Sequence, residues 1–204
     1  MSELAYEGWF EARNLKKLGP LIHLMKPFLH QATRPVDDDL LGKVGVASGD
    51  EILFFAGYHA DWPLAMAKSG CKVTYTDLSP GLVWMMNNSG KGERFTAVFA
   101  ANGGDQPREA GKYDWSMSFE PLPMTNGREL YDAVKRSLMN RKGGKVIARP
   151  GTRDLIAPVF ERVAAETGAE YEVYDMPIKA KRRYSVTGKP IDHVIFTVRP
   201  RYQL

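Results

Sequence analysis

The feature that most constrains the fold is the stretch EILFFAGYHADWPLAMAKSGCKVTYTDLSP at residues 51–80. An apolar run is followed by a turn, a helical pattern and a second apolar run that ends at Asp77, and Ser79-Pro80 then begins another helix. Strands that alternate with helices in this way favour parallel pairing, because the chain must cross the sheet before it adds the next strand. The segment predicts a parallel α/β sheet whose ligands bind at the carboxyl ends of the strands.

The same alternation continues towards the end of the chain, where helices are expected to cover both faces of the sheet. Strands are predicted at 51–56, 72–77, 95–100, 113–118 and 145–149, with helices at 62–68, 80–89, 127–140 and 154–167. Two further strands, 171–178 and 193–200, close the chain and are joined by a basic loop.

The N-terminal part of the chain has a different character. Apolar residues recur at helical spacing up to Leu29, and Gly19-Pro20 divides them into at least two helices. Residues 1–44 are therefore expected to form a helical extension or lid, residues 45–204 the main domain, and residues 34–50 a connector.

Length and composition restrict the class of protein. With 204 residues, 44% of them apolar, the chain can bury a substantial core. We expect a cytoplasmic protein with no membrane segment, because no secretion signal is present and the apolar runs are shorter than the roughly 18 residues that cross a bilayer. No metal site is expected, because Cys71 is the single cysteine and no Cys/His group has zinc-site spacing.

Positive charge is concentrated at the C-terminal end. Residues 179–204 contain seven Lys or Arg and one acid, a net charge of +6, whereas the other residues carry 21 bases and 23 acids. The cluster at Lys179, Lys181, Arg182 and Arg183 could bind RNA or another anion, since basic clusters attract polyanions. The alternative is a solvated loop.

The turn AGYHAD follows the first strand, where a ligand is expected. Asp61 is placed to cap the next helix, whose free N–H groups would face an anionic group. Ala56 and Gly57 allow close approach of the backbone, and the bulkier Tyr58 follows. Asp77, twenty positions after Gly57, can accept hydrogen bonds from the two hydroxyls of a ribose.

From about residue 45 onward the sequence resembles the class I S-adenosylmethionine-dependent methyltransferases. KVTYTDLSPGLV is similar to their second motif, GGDQP at 103–107 to the third and YDWSMSFEPLP at 113–123 to the fourth, and LMNRKGGKVIARP resembles the following Gly-Gly strand element. The resemblance implies a doubly wound, mostly parallel, seven-stranded Rossmann-like sheet with an antiparallel C-terminal strand. It also implies S-adenosyl-L-methionine as cofactor, with Asp77 on the ribose, Leu78 against the adenine and Asp105 at the adenine amino group.

The chain departs from that family at two places. In the first motif, Phe54 replaces the usual acid, and Ala56, Tyr58 and Ala60 occupy the glycine positions, so Asp61 becomes the candidate for the cofactor ammonium group. In the fourth motif, Phe119 replaces the Asn or Asp that binds an exocyclic amine, which disfavours methylation of base amines.

The remaining candidates concern the acceptor side of the cofactor. Glu120 is the candidate base or substrate-orienting residue, while Tyr58 and His59 are candidate lid or acceptor contacts. Trp62 and Phe119 could favour the positive sulfonium through their ring faces, or pack in the core.

The predicted function is S-adenosylmethionine-dependent methyl transfer to an unknown acceptor, RNA or another anion being the candidates. One alternative is a non-catalytic methyltransferase-like domain that serves as a binding or regulatory subunit. A dinucleotide-dependent oxidoreductase is a third interpretation, disfavoured because the turn lacks G-x-G-x-x-G.

Overall fold

The computed structural model describes most of the main domain and the segment just before it. The described residues are 33–55, 61–77, 83, 87, 94–99, 111–119, 121, 127–182 and 189–201, with only the backbone of residues 33, 34, 77, 97, 99, 181, 182 and 189. The expected N-terminal helices at 1–32 lie outside them. Of the predicted helix 80–89, Val83 and Asn87 are described, and both are helical.

Besides the helical positions Val83 and Asn87, the described part of the chain contains eight strands and four α-helices. The strands are β1 (Thr33–Pro35), β2 (Glu51–Phe54), β3 (Lys72–Asp77), β4 (Phe95–Phe99), β5 (Trp115–Phe119), β6 (Gly143–Ala148), β7 (Glu170–Arg182) and β8 (Lys189–Arg199). The helices are α1 (Leu40–Val44), α2 (Asp61–Lys68), α3 (Gly127–Ser137) and α4 (Arg153–Thr167), with a 3-10 turn at Pro150–Thr152.

All eight strands form one sheet in the order β1-β7-β8-β6-β5-β2-β3-β4. Strands β2 to β6 pair in parallel, whereas β8 is antiparallel to both β6 and β7, and β1 is antiparallel to β7. The predicted doubly wound, mostly parallel sheet with an antiparallel C-terminal strand is confirmed. Strand β1 adds an eighth strand at the edge.

The sheet separates two apolar layers, which explains why its central strands are apolar throughout. Strands β5 and β6 are buried along their whole length. On one face, the side chains of Phe54, Met117 and Ile147 belong to a core that also contains residues of α1 and α2. On the other face, Val146 and Phe196 pack in a second core with residues of α3 and α4. No helix in the described part of the chain is long and apolar enough to span a membrane.

The interpretation of residues 34–50 as a plain connector was wrong, because this segment contains β1 residues and α1. Leu40 and Val44 of α1 are buried in the core. Asp37 ties the segment to β7, since its Oδ2 accepts hydrogen bonds from Lys43 Nζ (2.7 Å) and from the backbone N–H of Lys179 (2.8 Å). Both elements are too short to show a periodicity in the sequence. The division of the chain at residue 44 stays a prediction.

The basic residues after 178 were also assigned wrongly in part. Lys179, Lys181 and Arg182 lie on β7, not in a loop, because β7 continues to Arg182 and pairs there with β1. Ala148, the last residue of β6, lies opposite Val194, which lies opposite Asp175 on β7. The remainder of β7 therefore projects about 20 Å beyond the end of β6.

Candidate functional site

The carboxyl ends of the parallel strands form one edge of the sheet, which is where ligands bind in folds of this type. Phe54, Asp77 and Phe119 are the last residues of β2, β3 and β5. His193 of the antiparallel β8 lies at the same edge, because the next residue, Val194, pairs with the last residue of β6.

Helix α2 begins at this edge, directly after the β2–α2 connection. Its first residue is Asp61, which is partly exposed, and the first turn of a helix favours a negative side chain. Trp62 and Pro63 follow and are buried. Proline is tolerated there because the first backbone N–H groups of a helix have no partner within it.

Three aromatic rings from distant parts of the sequence meet beneath this edge. The rings of Trp62 and Phe119 are stacked, with centroids 4.7 Å apart and planes inclined by 19°. The His193 ring meets Trp62 edge-on at 5.3 Å and lies 6.1 Å from Phe119. None of the three residues is more than 1% exposed. We call Trp62, Phe119 and His193 the aromatic trio. It joins the start of α2 to the end of β5 and to β8.

His193 is held in one orientation and is neutral near physiological pH. Its Nδ1 lies 2.7 Å from the Ile191 carbonyl oxygen, so a proton on Nδ1 is donated there and the lone pair of the ring resides on Nε2. Burial lowers the pKa of His193, an effect that the Ile191 hydrogen bond opposes and that nearby Arg149 reinforces.

Two buried tryptophans differ in how their indole N–H groups are satisfied. Trp115 Nε1 donates to Asp50 Oδ2 at 3.0 Å. Trp62 Nε1 is buried and has no acceptor among the residues that the structure describes. Buried donors are nearly always paired, so the Trp62 N–H, for which the described residues supply no acceptor, is a notable feature of this edge.

The opposite edge of the sheet carries a structural polar network. Asp50 accepts hydrogen bonds from Trp115, from Lys142 Nζ (2.7 Å) and from the backbone N–H of Ala47 (3.1 Å). Asp50 directly precedes β2 and Trp115 is the first residue of β5, so this network holds the amino ends of the two strands together. In the described part of the chain, no group of three or more His, Cys, Asp or Glu is arranged to hold a metal ion.

A groove of about 290 Å³ lies beside α2, on a different side of the helix from Trp62. It runs between α2 and the segment that joins β1 to α1, and its lining residues are Pro35, Val36, Asp37, Leu40, Asp61, Leu64, Ala65, Lys68 and Ser69. Asp61 therefore lies both at the start of α2 and on the groove.

The structure places some of the predicted site residues and leaves others outside the described part. Asp61, the backbone of Asp77, and Phe119 all lie at the carboxyl edge, and Phe119 contacts Trp62. Lys179 is exposed on β7. The candidates outside the described residues are Ala56, Gly57, Tyr58, His59, Leu78, Asp105, Glu120 and Arg183. Their roles stay predictions.

His193 was not found by sequence reasoning. In the sequence, this polar residue directly precedes the apolar run VIF within β8, which was a weak signal that the buried part of the strand starts there. Its proximity to Trp62 depends on β8 being inserted next to β6, which motif spacing does not show.

No protein-family model and no curated protein sequence matches this chain. Solved structures do match it, at low sequence identity. A TehB-like S-adenosylmethionine-dependent methyltransferase from Corynebacterium glutamicum is 17% identical, with a TM-score of 0.51 over 92% of this chain and 97% of that one.

Two further neighbours were solved with ligands. Phosphoethanolamine N-methyltransferase 2 of Haemonchus contortus, in complex with phosphomonomethylethanolamine and S-adenosylhomocysteine, is 12% identical, with a TM-score of 0.56 over 98% of this chain and 61% of that one. Geranyl diphosphate methyltransferase, in complex with GPP and sinefungin, is 17% identical, with a TM-score of 0.51 over 78% of this chain and 74% of that one. Together with the strand order, these neighbours show that the chain has the Rossmann-like fold of the class I S-adenosylmethionine-dependent methyltransferases.

Proposed function

We propose that the protein is an S-adenosylmethionine-dependent methyltransferase whose cofactor lies over the carboxyl ends of β2, β3 and β4. The observation that carries the proposal is the strand order, in which antiparallel β8 is inserted between β6 and β7 as in a methyltransferase sheet. Asp77 supports it, because the backbone places this acid at the end of β3, next to β2 and its turn.

The chain offers groups suited to each part of the cofactor. Asp77 would accept hydrogen bonds from the ribose hydroxyls, with Leu78 and Asp105 at the adenine. Ala56, Gly57 and Tyr58 would form the turn that passes the methionine part, where the first turn of α2 offers free N–H groups. Asp61 would pair with the ammonium group. These assignments fit the edge on which Asp61 and Asp77 lie.

Methyl transfer requires alignment of the acceptor and, for a hydroxyl or protonated amine, removal of a proton. The cofactor, when bound, supplies an electrophilic methyl group on a positively charged sulfur. Glu120, the residue after β5, is the proposed base or orienting group. The stacked rings of Trp62 and Phe119, which are buried beneath the edge, would form the floor of the site.

The acceptor is proposed to carry a phosphate group, RNA and small phosphate esters being the two sources. Strand β7 carries Lys179, Lys181 and Arg182 past the end of β6, on the half of the sheet away from Asp77. Two structural neighbours were solved with phosphate-bearing molecules, phosphomonomethylethanolamine and GPP. Clustered Lys and Arg attract such groups.

The first prediction tests the cofactor. Calorimetry should detect binding of S-adenosylmethionine and S-adenosylhomocysteine, and Asp77→Ala should weaken both at least about 10-fold, because two hydrogen bonds to a carboxylate are lost. Asp132→Ala, on α3, is the matched control and should leave both affinities unchanged. Normal affinity in Asp77→Ala would remove Asp77 from the site. A wild-type protein that binds neither compound, yet retains a stable protein partner, would favour the non-catalytic alternative.

A further inference from the structure

We propose that the groove beside α2 is the docking surface for residues 20–29, the apolar end of the chain's own N-terminal segment. The groove lies between α2 and the residues that join β1 to α1, and its volume is about 290 Å³. Residues 1–32 lie outside the described part of the chain and lead directly into β1. The inference goes beyond the proposed function, because it names what occupies a surface other than the cofactor site.

The groove combines apolar side chains with a carboxylate at one end. Its apolar lining residues are Pro35, Val36, Leu40, Leu64 and Ala65, and Asp61 lines it at the start of α2. Its volume lies at the lower limit of pockets that enclose a small-molecule ligand, which is roughly 300 Å³. The groove therefore suits a few apolar side chains of a longer partner better than a whole ligand.

Residues 20–29 have the matching chemistry. Their sequence is PLIHLMKPFL, with six large apolar residues and one basic residue, Lys26. A helix as short as this segment allows is unstable alone in water and needs a partner for its apolar side. Asp61 is partly exposed and pairs with no cation in the described part of the protein, so it is available to pair with Lys26.

The connection between this segment and the groove is short. Pro35, which lines the groove, comes six positions after Leu29, and six residues span at most about 20 Å. Helix α2 has eight residues and is therefore about 12 Å long, so the segment can reach any part of the groove. A short tether gives an effective concentration in the millimolar range, whereas a separate partner loses translational and rotational freedom on binding. The tether favours the chain's own segment over a second copy.

The test measures how fast a water-soluble maleimide labels a cysteine at position 25, each rate being divided by that of the same variant in urea. Cys71 is 0% exposed, so it should not react in the native protein. Met25→Cys should be labelled at least about 10-fold more slowly than Ser2→Cys, because only undocked molecules react. Adding Ala65→Arg, which fills the groove, should remove this protection. Adding Ala165→Arg, at an exposed position on α4, is the matched control and should leave it unchanged.

A charge reversal keeps the test decisive if the Ala65→Arg protein does not fold. Asp61→Lys places a cation near Lys26 and should speed labelling of Met25→Cys, and adding Lys26→Asp should slow it again. Equal labelling of Met25→Cys and Ser2→Cys would overturn the inference, as would protection that neither groove variant changes. Protection that disappears on dilution would also overturn it, because the occupant would then be a second copy. These measurements do not involve the cofactor, so their failure is distinguishable from failure of S-adenosylmethionine to bind.

Discussion

Lys145 on β6 is a cationic side chain held almost entirely away from water. It is 1% exposed, its Nζ donates to Thr197 Oγ1 at 3.1 Å, and it lies 4.4 Å from the centroid of the Trp115 ring. Lys145 makes no ion pair with a carboxylate in the described part of the protein. Burial lowers its pKa to about 8, and the charge of Arg199 contributes in the same direction.

Lys145 is therefore expected to make stability increase with pH in the mildly alkaline range. Its pKa is about 8 in the folded protein and 10.5 in the unfolded chain, so between these values the unfolded chain binds more protons. The free energy of unfolding then rises with pH, by about 1 kcal/mol between pH 7 and pH 9 for this group. Urea denaturation at several pH values measures the effect.

Lys145→Met is the comparison for this measurement. Methionine keeps roughly the length of the side chain and removes the charge. The unfolding free energy of wild type minus that of Lys145→Met should therefore rise by about 1 kcal/mol from pH 7 to pH 9. Burial also raises the pKa of Cys71 to about 12, which lowers stability as the pH rises above 9, but that contribution is common to both proteins. A difference that is constant with pH would contradict the assignment.

Single residues also show where sequence reasoning succeeded and where it ended. The strand predicted to end at residue 118 ends at Phe119, so its end was found to within one residue, because the apolar run and the motif that follows are local. Trp62 and His193 are separated by more than a hundred residues in the sequence, and their contact depends on the order of strands in the sheet. Burial of Lys145 likewise depends on Trp115 and Thr197, which come from the strands on either side of β6.

At the scale of elements, the Gly-Gly pair that begins β6 is explained by close packing. Gly143 has φ of 110°, and a Cβ atom there would overlap the carbonyl oxygen of Val198 on β8. A Cβ on Gly144 would overlap Ser137 Oγ at the end of α3. The pair lets β6 lie against both β8 and α3.

Gly143→Ala is expected to destabilise the protein by at least about 2 kcal/mol, because it combines an unfavourable backbone conformation with a backbone clash. Gly151→Ala is the control, since a Cβ at Gly151 meets nothing within 4 Å. Thermal unfolding followed by circular dichroism compares the two. A Gly143→Ala melting temperature equal to that of Gly151→Ala would show that β8 can move away at little cost.

The elements with strong local patterns were predicted closely, and those that depend on a partner were not. Strand β3 was predicted with its observed bounds, and α4 to within one residue at its start. Strand β1 and the extension of β7 to Arg182 were missed, because each supplies the backbone hydrogen bonds of the other. An edge strand of three residues leaves no periodic signal in the sequence.

At the scale of the whole molecule, one projecting arm of the sheet carries an excess of positive charge. The arm consists of β1 and the parts of β7 and β8 beyond the end of β6, and in its register Arg34 lies opposite Lys181. Basic residues gathered on paired strands raise the local concentration of anions. This placement supports the proposal that the arm binds a phosphate-bearing acceptor.

The double variant Lys179→Glu/Lys181→Glu is expected to weaken binding of a 20-nucleotide single-stranded RNA at least about 10-fold in 50 mM KCl. Loss of two phosphate contacts should also reduce the slope of log K against log salt by about 1.4. Lys72→Glu/Lys135→Glu changes the net charge equally at exposed sites away from the arm and should have little effect. Equal weakening in both variants would exclude the arm as the binding surface. Absence of RNA binding by wild type would leave small phosphate esters as the source.

By itself, the sequence determined the fold class, the parallel core and the edge at which the proposed site lies, because apolar periodicity and turn residues act over a few neighbouring positions. The tertiary structure alone decided which distant side chains meet: Trp62 with Phe119 and His193, Lys145 with Trp115, and β1 with β7. Those contacts arise from strand order and register, which set distances between residues far apart in the chain. They are therefore fixed when the whole sheet assembles.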